Sequence, residues 1–349
     1  MIKRLLVASW LVAGGMISSG LAQDDPFLVG EGAAAPPTAS SRPTPGVTFD
    51  DPFQVDSDSN GTFVTHPERL GATTTSQAGW FSALRDSWEA DPIAAESWAW
   101  HLLPEGLMYK SYIAGEKEPR MSTAFLQERN GELLWDSSLG ARVGIVRFGT
   151  GRGIQPEGFQ MDVEAAALLR MQPQEERDVM ATDFRAGVPF TYREGPFQAK
   201  FGYYHISSHA GDEYMLKNPD FKRNNYSRDA LILGLGYFPI DPLRLYAEVG
   251  WSFFGTGGNR PWEFQTGLEW SENGPTGLRG APFFAANLYL RETVDWQPSF
   301  NMWAGWQWRG STSDHTFRAG LQYYTGPNSQ YIFLRDHEDL LGFGIRYDF

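Results

Sequence analysis

The chain has 349 residues, no cysteine and a net charge of -13 at pH 7. That acidic balance argues against nucleic-acid binding, which wants a basic patch, and the lack of cysteine excludes disulfides and thiol chemistry. Beyond the N-terminus no stretch approaches the roughly 18 unbroken apolar residues of a membrane helix, so a membrane-embedded mature chain must be a closed barrel.

Met1, Lys3 and Arg4, the apolar run from Leu5 to Ile17, and the small residues of Gly20-Leu21-Ala22 predict a secretory signal peptide over 1–22. Residues 23–77 are rich in Pro, Ala, Ser, Thr, Asp and Gly and predict a disordered periplasmic linker. Within it Asp24-Asp25-Pro26-Phe27 recurs as Asp50-Asp51-Pro52-Phe53, a docking peptide or a low-complexity echo. Residues 78–119 predict a short helix and an irregular periplasmic segment. Trp80, Leu84 and Trp88 make one apolar stripe near Ala78 to Glu89, and Asp91-Pro92 ends it. From His101 to Met121 no period is legible.

From residue 120 to 349 period-2 segments follow one another. They predict an all-β fold: an antiparallel transmembrane β-barrel of about twelve strands, near 121–129, 135–148, 159–171, 181–193, 197–208, 226–238, 243–254, 262–271, 283–291, 299–309, 315–325 and 341–349. Leu243, Leu245, Ala247, Val249, Trp251 and Phe253 oppose Arg244, Tyr246, Glu248 and Ser252. The last segment sets Phe343, Ile345, Tyr347 and Phe349 against Gly344, Arg346 and Asp348. A closing strand of this kind resembles the assembly signal of bacterial outer-membrane barrels, which implies the barrel-assembly machinery and outer-membrane lipid as partners. Lipid outside reverses the soluble rule: apolar residues face outward and polar residues the lumen. The 13 Trp and 24 Phe suit interfacial girdles, and a mean hydropathy of -0.38 fits a barrel, where only alternate residues meet lipid.

An even strand count places both barrel ends in the periplasm. The tight turns at Glu194-Gly195 and Ile240-Asp241-Pro242 fall on that side, and the long segments 209–225 and 326–340 fall outside. The inward face is expected to carry Arg142, Asp162, Glu164, Arg185, Lys200, Arg244, Glu248, Glu263, Glu269, Arg291, Arg318 and Arg346. Interleaved signs predict a cross-linked, largely filled lumen. An open porin needs roughly 16–18 strands, so a wide pore is disfavoured and a narrow channel stays open.

One strand carries candidate chemistry. Phe197, Ala199, Phe201 and Tyr203 must face lipid, because Gln198 and Lys200 share the other face. The same parity puts His205 and Ser207 outward at the external rim, and Asn225 outward before the next strand. Histidine beside serine, with an amide to orient the imidazole, is the constellation of a nucleophilic hydrolase: Ser207 attacks, His205 takes its proton and Asn225 fixes the tautomer. A second grouping joins His205, His209, Asp212 and Glu213 as metal ligands, since imidazole and carboxylate suit zinc; calcium near Asp212 and Glu213 is a weaker variant. Solvated loop carboxylates are the plainer reading, and no cofactor motif is present.

His205-Ile206-Ser207 with the later Asn225 is similar to the His-x-Ser motif of the outer-membrane phospholipase A barrels. The chain departs from that family in following its serine with Ser208-His209 rather than Asn-Gly, and in the spacing to Asn225. Over roughly 100–349 the chain resembles the domain-of-unknown-function family 1207 of exported bacterial proteins. That resemblance rests on Ala114-Gly-Glu-Lys-Glu-Pro-Arg-Met-Ser122, Tyr204-His-Ile-Ser-Ser-His-Ala-Gly-Asp-Glu-Tyr214 and Asn225-Tyr-Ser-Arg-Asp229, and it implies an envelope barrel without an assigned activity. Two function classes follow: a structural or narrow-channel barrel of the outer membrane, and alternatively a lipid-directed serine hydrolase of phospholipase or lipid A deacylase type.

Overall fold

In the computed structural model, which describes residues 97–151, 155–311 and 315–349, every expected strand is present. They are β2 (Met121–Glu128), β3 (Leu133–Gly149), β4 (Gly158–Gln172), β5 (Asp178–Glu194), β6 (Phe197–Ala210), β7 (Ser227–Ile240), β8 (Leu243–Thr256), β9 (Trp262–Ser271), β10 (Ala281–Arg291), β11 (Pro298–Arg309), β12 (Thr316–Pro327) and β13 (His337–Asp348). A short strand β1 (Ala99–Leu102) precedes them and one helix, α1 (Asp212–Lys217), follows β6. From β2 to β13 each strand pairs antiparallel with its sequence neighbour, and β13 returns to β2, so twelve strands close into a barrel. The expected signal peptide, linker with its Asp-Asp-Pro-Phe repeat and helix near 78–89 lie outside the described residues.

Alternation is what writes these strands. Phe197, Phe201, Leu233, Leu235, Leu245, Trp251, Leu321 and Phe343 are exposed on the outer wall. All twelve charged residues expected inside are buried. They cross-link: Glu164 accepts from Arg142 and from Arg185 (2.9 Å), and Lys200 meets Glu248 at 2.5 Å. The final strand starts at His337 rather than at residue 341. There Glu338 turns inward to Arg170, and the extension His337-Glu338-Asp339 is polar on both faces, so it carries no apolar period.

The segment with no legible period fills the lumen. β1 pairs with one half of β3 (Ala99 opposite Gly149) and β2 with the other (Thr123 opposite Ser137), so the two strands share one column of the wall. Between them the chain turns inward at Leu103, which adopts a left-handed φ of 49°. Leu107, Met108, Tyr109, Tyr112, Ile113 and Ala114 are buried. This backbone is neither helix nor strand, and side chains of the wall satisfy it. Gln198 donates to the Met108 carbonyl (2.7 Å), Arg142 to that of Tyr109 (3.0 Å), Arg244 to that of Lys110 (3.0 Å) and Asn301 to that of Ala114 (2.8 Å). Irregular backbone is tolerable at membrane depth only when protein encloses it in this way.

From the opposite end the loop 328–336 folds in, burying Tyr331, Ile332, Phe333 and Leu334. The two insertions meet at Asp183 of β5. Lys117 Nζ lies 2.5 Å from its carboxylate, the Tyr331 N–H donates to it at 3.2 Å, and Ser208 Oγ donates as well. Burial raises the phenol of Tyr331 above its ordinary value, which keeps it a neutral donor. Lumen cavities of about 50 and 80 Å³ lie among these groups, each with room for a few waters.

Candidate functional site at the outer rim

At the end of the barrel away from Phe349, β6 and β7 run past each other with His205 opposite Asp229 and Ser207 opposite Ser227. Their outward faces carry Tyr203, His205, Ser207 and His209 on one strand and Ser227 and Asp229 on the other. Parity is responsible, because Tyr204, Ile206, Ser208 and Arg228 are buried on the inward face. Opposite Asp229 the register of β8 shifts, and both Phe253 and Phe254 are exposed. A bulge of this kind re-aims side chains beside it.

His205 Nδ1 lies 2.9 Å from Asp229 Oδ1, with the imidazole 41% and the carboxylate 18% exposed. Tyr203 Oη donates to the same oxygen at 2.5 Å. A carboxylate accepts only, so Nδ1 carries a proton, and in the neutral ring Nε2 keeps its lone pair. Ser207 stands two residues along the same face, roughly 6.6 Å away at the backbone. In this arrangement its Oγ does not bond His205; it lies 3.3 Å from His209 Nε2. His209 Nδ1 in turn faces the Arg223 guanidinium at 3.3 Å, and the Phe184 ring of β5 lies edge-on at 5.8 Å.

The expected orienter is corrected. The Asn225 side chain makes no hydrogen bond among the described residues; its carbonyl accepts from Thr256 Oγ1 at 2.6 Å. Asp229 stands where the amide was expected, because the long connection sets the β6–β7 register and pairs His205 with Asp229. The signal was available: Leu231, Leu233 and Leu235 face outward, and the same parity carries Asp229 outward with them. The metal grouping is not assembled. Asp212 and Glu213 open α1 on the exposed loop, and among the described residues no three His, Cys, Asp or Glu side chains are placed to hold an ion.

The loop holding Arg223 is fixed from several sides. Lys217 of α1 reaches Glu175 (2.8 Å) and Asp178 (2.7 Å). Those bonds, to Asp178 first, hold its ammonium above the ordinary lysine value. Tyr214 and Phe221 pack on Phe333 of the in-turned loop, with ring centroids 5.2 and 5.6 Å away.

A closed antiparallel barrel with an apolar outer wall, charged lumen and polar rim defines an outer-membrane-type β-barrel. The chain belongs to the family described as protein of unknown function DUF1207, whose pattern matches residues 89–349. Among solved structures it is similar to outer membrane phospholipase A from Escherichia coli, with 12% identity, 76% of this chain and 96% of that one covered, and a TM-score of 0.45. It is also similar to the KdgM porin, with 11% identity, 66% and 98% covered, and a TM-score of 0.38. Neither likeness assigns a residue. Among curated protein sequences nothing matches.

Proposed function

We propose that the protein is a lipid-directed serine hydrolase of the outer membrane, cleaving acyl esters at the external rim with Ser207 as nucleophile, His205 as base and Asp229 as orienter. The observation that carries this is the His205–Asp229 pair at 2.9 Å. It holds the imidazole with Nε2 free, on the face that also presents Ser207. Phe184, Phe253 and Phe254 surround the site with exposed apolar surface, suited to acyl chains. The long loops belong outside and the N-terminal segment in the periplasm; lipid is the partner and no cofactor is required. Purified protein given labelled phospholipid or lipid A tests this. Turnover lost in both Ser207→Ala and His205→Ala is the expected result, and unchanged turnover in Ser207→Ala removes the site.

A second reading is a structural barrel without catalysis. The contact of Ser207 with His209 rather than His205 favours it. The filled lumen speaks against the narrow-channel form of that reading.

A further inference from the structure

Ser207 is flanked by two imidazoles on one face, and their partners put them in opposite tautomers. We infer that His209 is the oxyanion donor of the Ser207 site and that Arg223 fixes its tautomer; this rests on the hydrolase reading above.

Arginine has no acceptor and stays charged, so its contact at 3.3 Å makes His209 Nδ1 the acceptor. A neutral imidazole accepting at Nδ1 carries its proton on Nε2. That N–H therefore points at Ser207 Oγ, 3.3 Å away, and His209 cannot serve as the base. His205 is the reverse: Asp229 takes its Nδ1–H and leaves Nε2 to accept. The labour divides without a conflict between the two rings.

The chemistry balances with these groups. With its hydroxyl turned from His209 toward His205, Ser207 Oγ bonds to the acyl carbon of the ester while its proton moves to His205 Nε2. The carbonyl π pair becomes an oxyanion one bond angle from Oγ, within reach of the His209 Nε2–H. Collapse of the adduct breaks the ester C–O bond, and the leaving alcohol takes the proton from His205. Water repeats the sequence on the acyl-enzyme and releases the fatty acid. A donor already aimed beside the nucleophile needs little reorganisation when charge develops. Phe184 packs against the imidazole, with centroids 5.8 Å apart, and Arg223 bonds its far nitrogen, so the imidazole is held from two sides.

The test is steady-state hydrolysis of a labelled phospholipid by the full-length protein in detergent micelles, with folding checked by heat-modifiable migration. His209→Ala is expected to lower kcat by about 10²–10³-fold with little change in KM, the usual loss for one oxyanion donor. His209→Gln, which keeps an N–H, should recover most of that loss. Arg223→Met should lower kcat less, and adding it to His209→Ala should cost nothing more, since it acts through the imidazole. Wild-type kcat in His209→Ala, with Ser207→Ala inactive, overturns the inference and leaves the hydrolase reading standing. If His209→Ala does not fold, wild-type kcat in Arg223→Met overturns it. Full turnover in Ser207→Ala overturns both.

Discussion

Asp183→Ala should destabilise the barrel by about 4 kcal/mol. Asp183 is fully buried and receives Lys117, Ser208 and the Tyr331 N–H. Removing one partner of a buried ion pair costs about 3–5 kcal/mol, because the remaining charge stays in a poor solvent. Each orphaned donor adds about 1–3 kcal/mol in isolation. The penalties share one site and the small lumen cavities admit water, so the sum is not reached. About 4 kcal/mol is roughly a thousandfold in the unfolding equilibrium. Urea unfolding in lipid vesicles, followed by tryptophan fluorescence, reads it directly. Lys117→Met combined with Asp183→Leu should regain the share due to the unpaired lysine, since an apolar pair replaces a buried ionic one at little cost, while Ser208 and the Tyr331 N–H stay without their acceptor. A shift below about 1 kcal/mol in Asp183→Ala, or a double variant as weak as the single one, would refute the claim that the inward segment and the in-turned loop are locked together at this carboxylate.

Three further outcomes follow from the same geometry. Single-channel recording should show no current above an empty bilayer for the intact protein, whereas deletion of residues 104–119 should open a measurable conductance. Leu233→Arg places a charge on the exposed outer wall and should cost about 2–4 kcal/mol in vesicles; a soluble, undisturbed variant would contradict the lipid-facing assignment. Asp229→Ala should reduce hydrolysis strongly while Asn225→Ala leaves it near wild type, and the opposite order would restore the amide as orienter.

The wall was legible from sequence because a strand with lipid on one side and charge on the other has a period of 2. Phe201 and Lys200, or Leu245 and Arg244, cannot trade faces without putting charge into lipid. That wall charges fill much of the lumen was legible; that the chain itself enters it was not, since residues 103–120 follow no period and are held by wall side chains far away in the chain, such as Gln198 and Asn301. The site was half legible. Parity placed His205 and Ser207 on one outward face, but register across the connection 211–226 decides what stands opposite, and no local pattern fixes it. Parity carries Asp229 outward, but its place opposite His205 and the His209–Arg223 contact emerged only from the pairing of β6 with β7. The short strand β1 escaped notice because its few residues pair with the far half of β3 and carry no turn signal of their own.

The most direct measurement is labelling of the folded protein with a fluorophosphonate, followed by mass mapping of the adduct. A single adduct on Ser207 is expected, lost in His205→Ala and weakened in Asp229→Ala. No adduct on Ser207, or labelling indifferent to His205, would contradict the claim that this rim holds an activated serine.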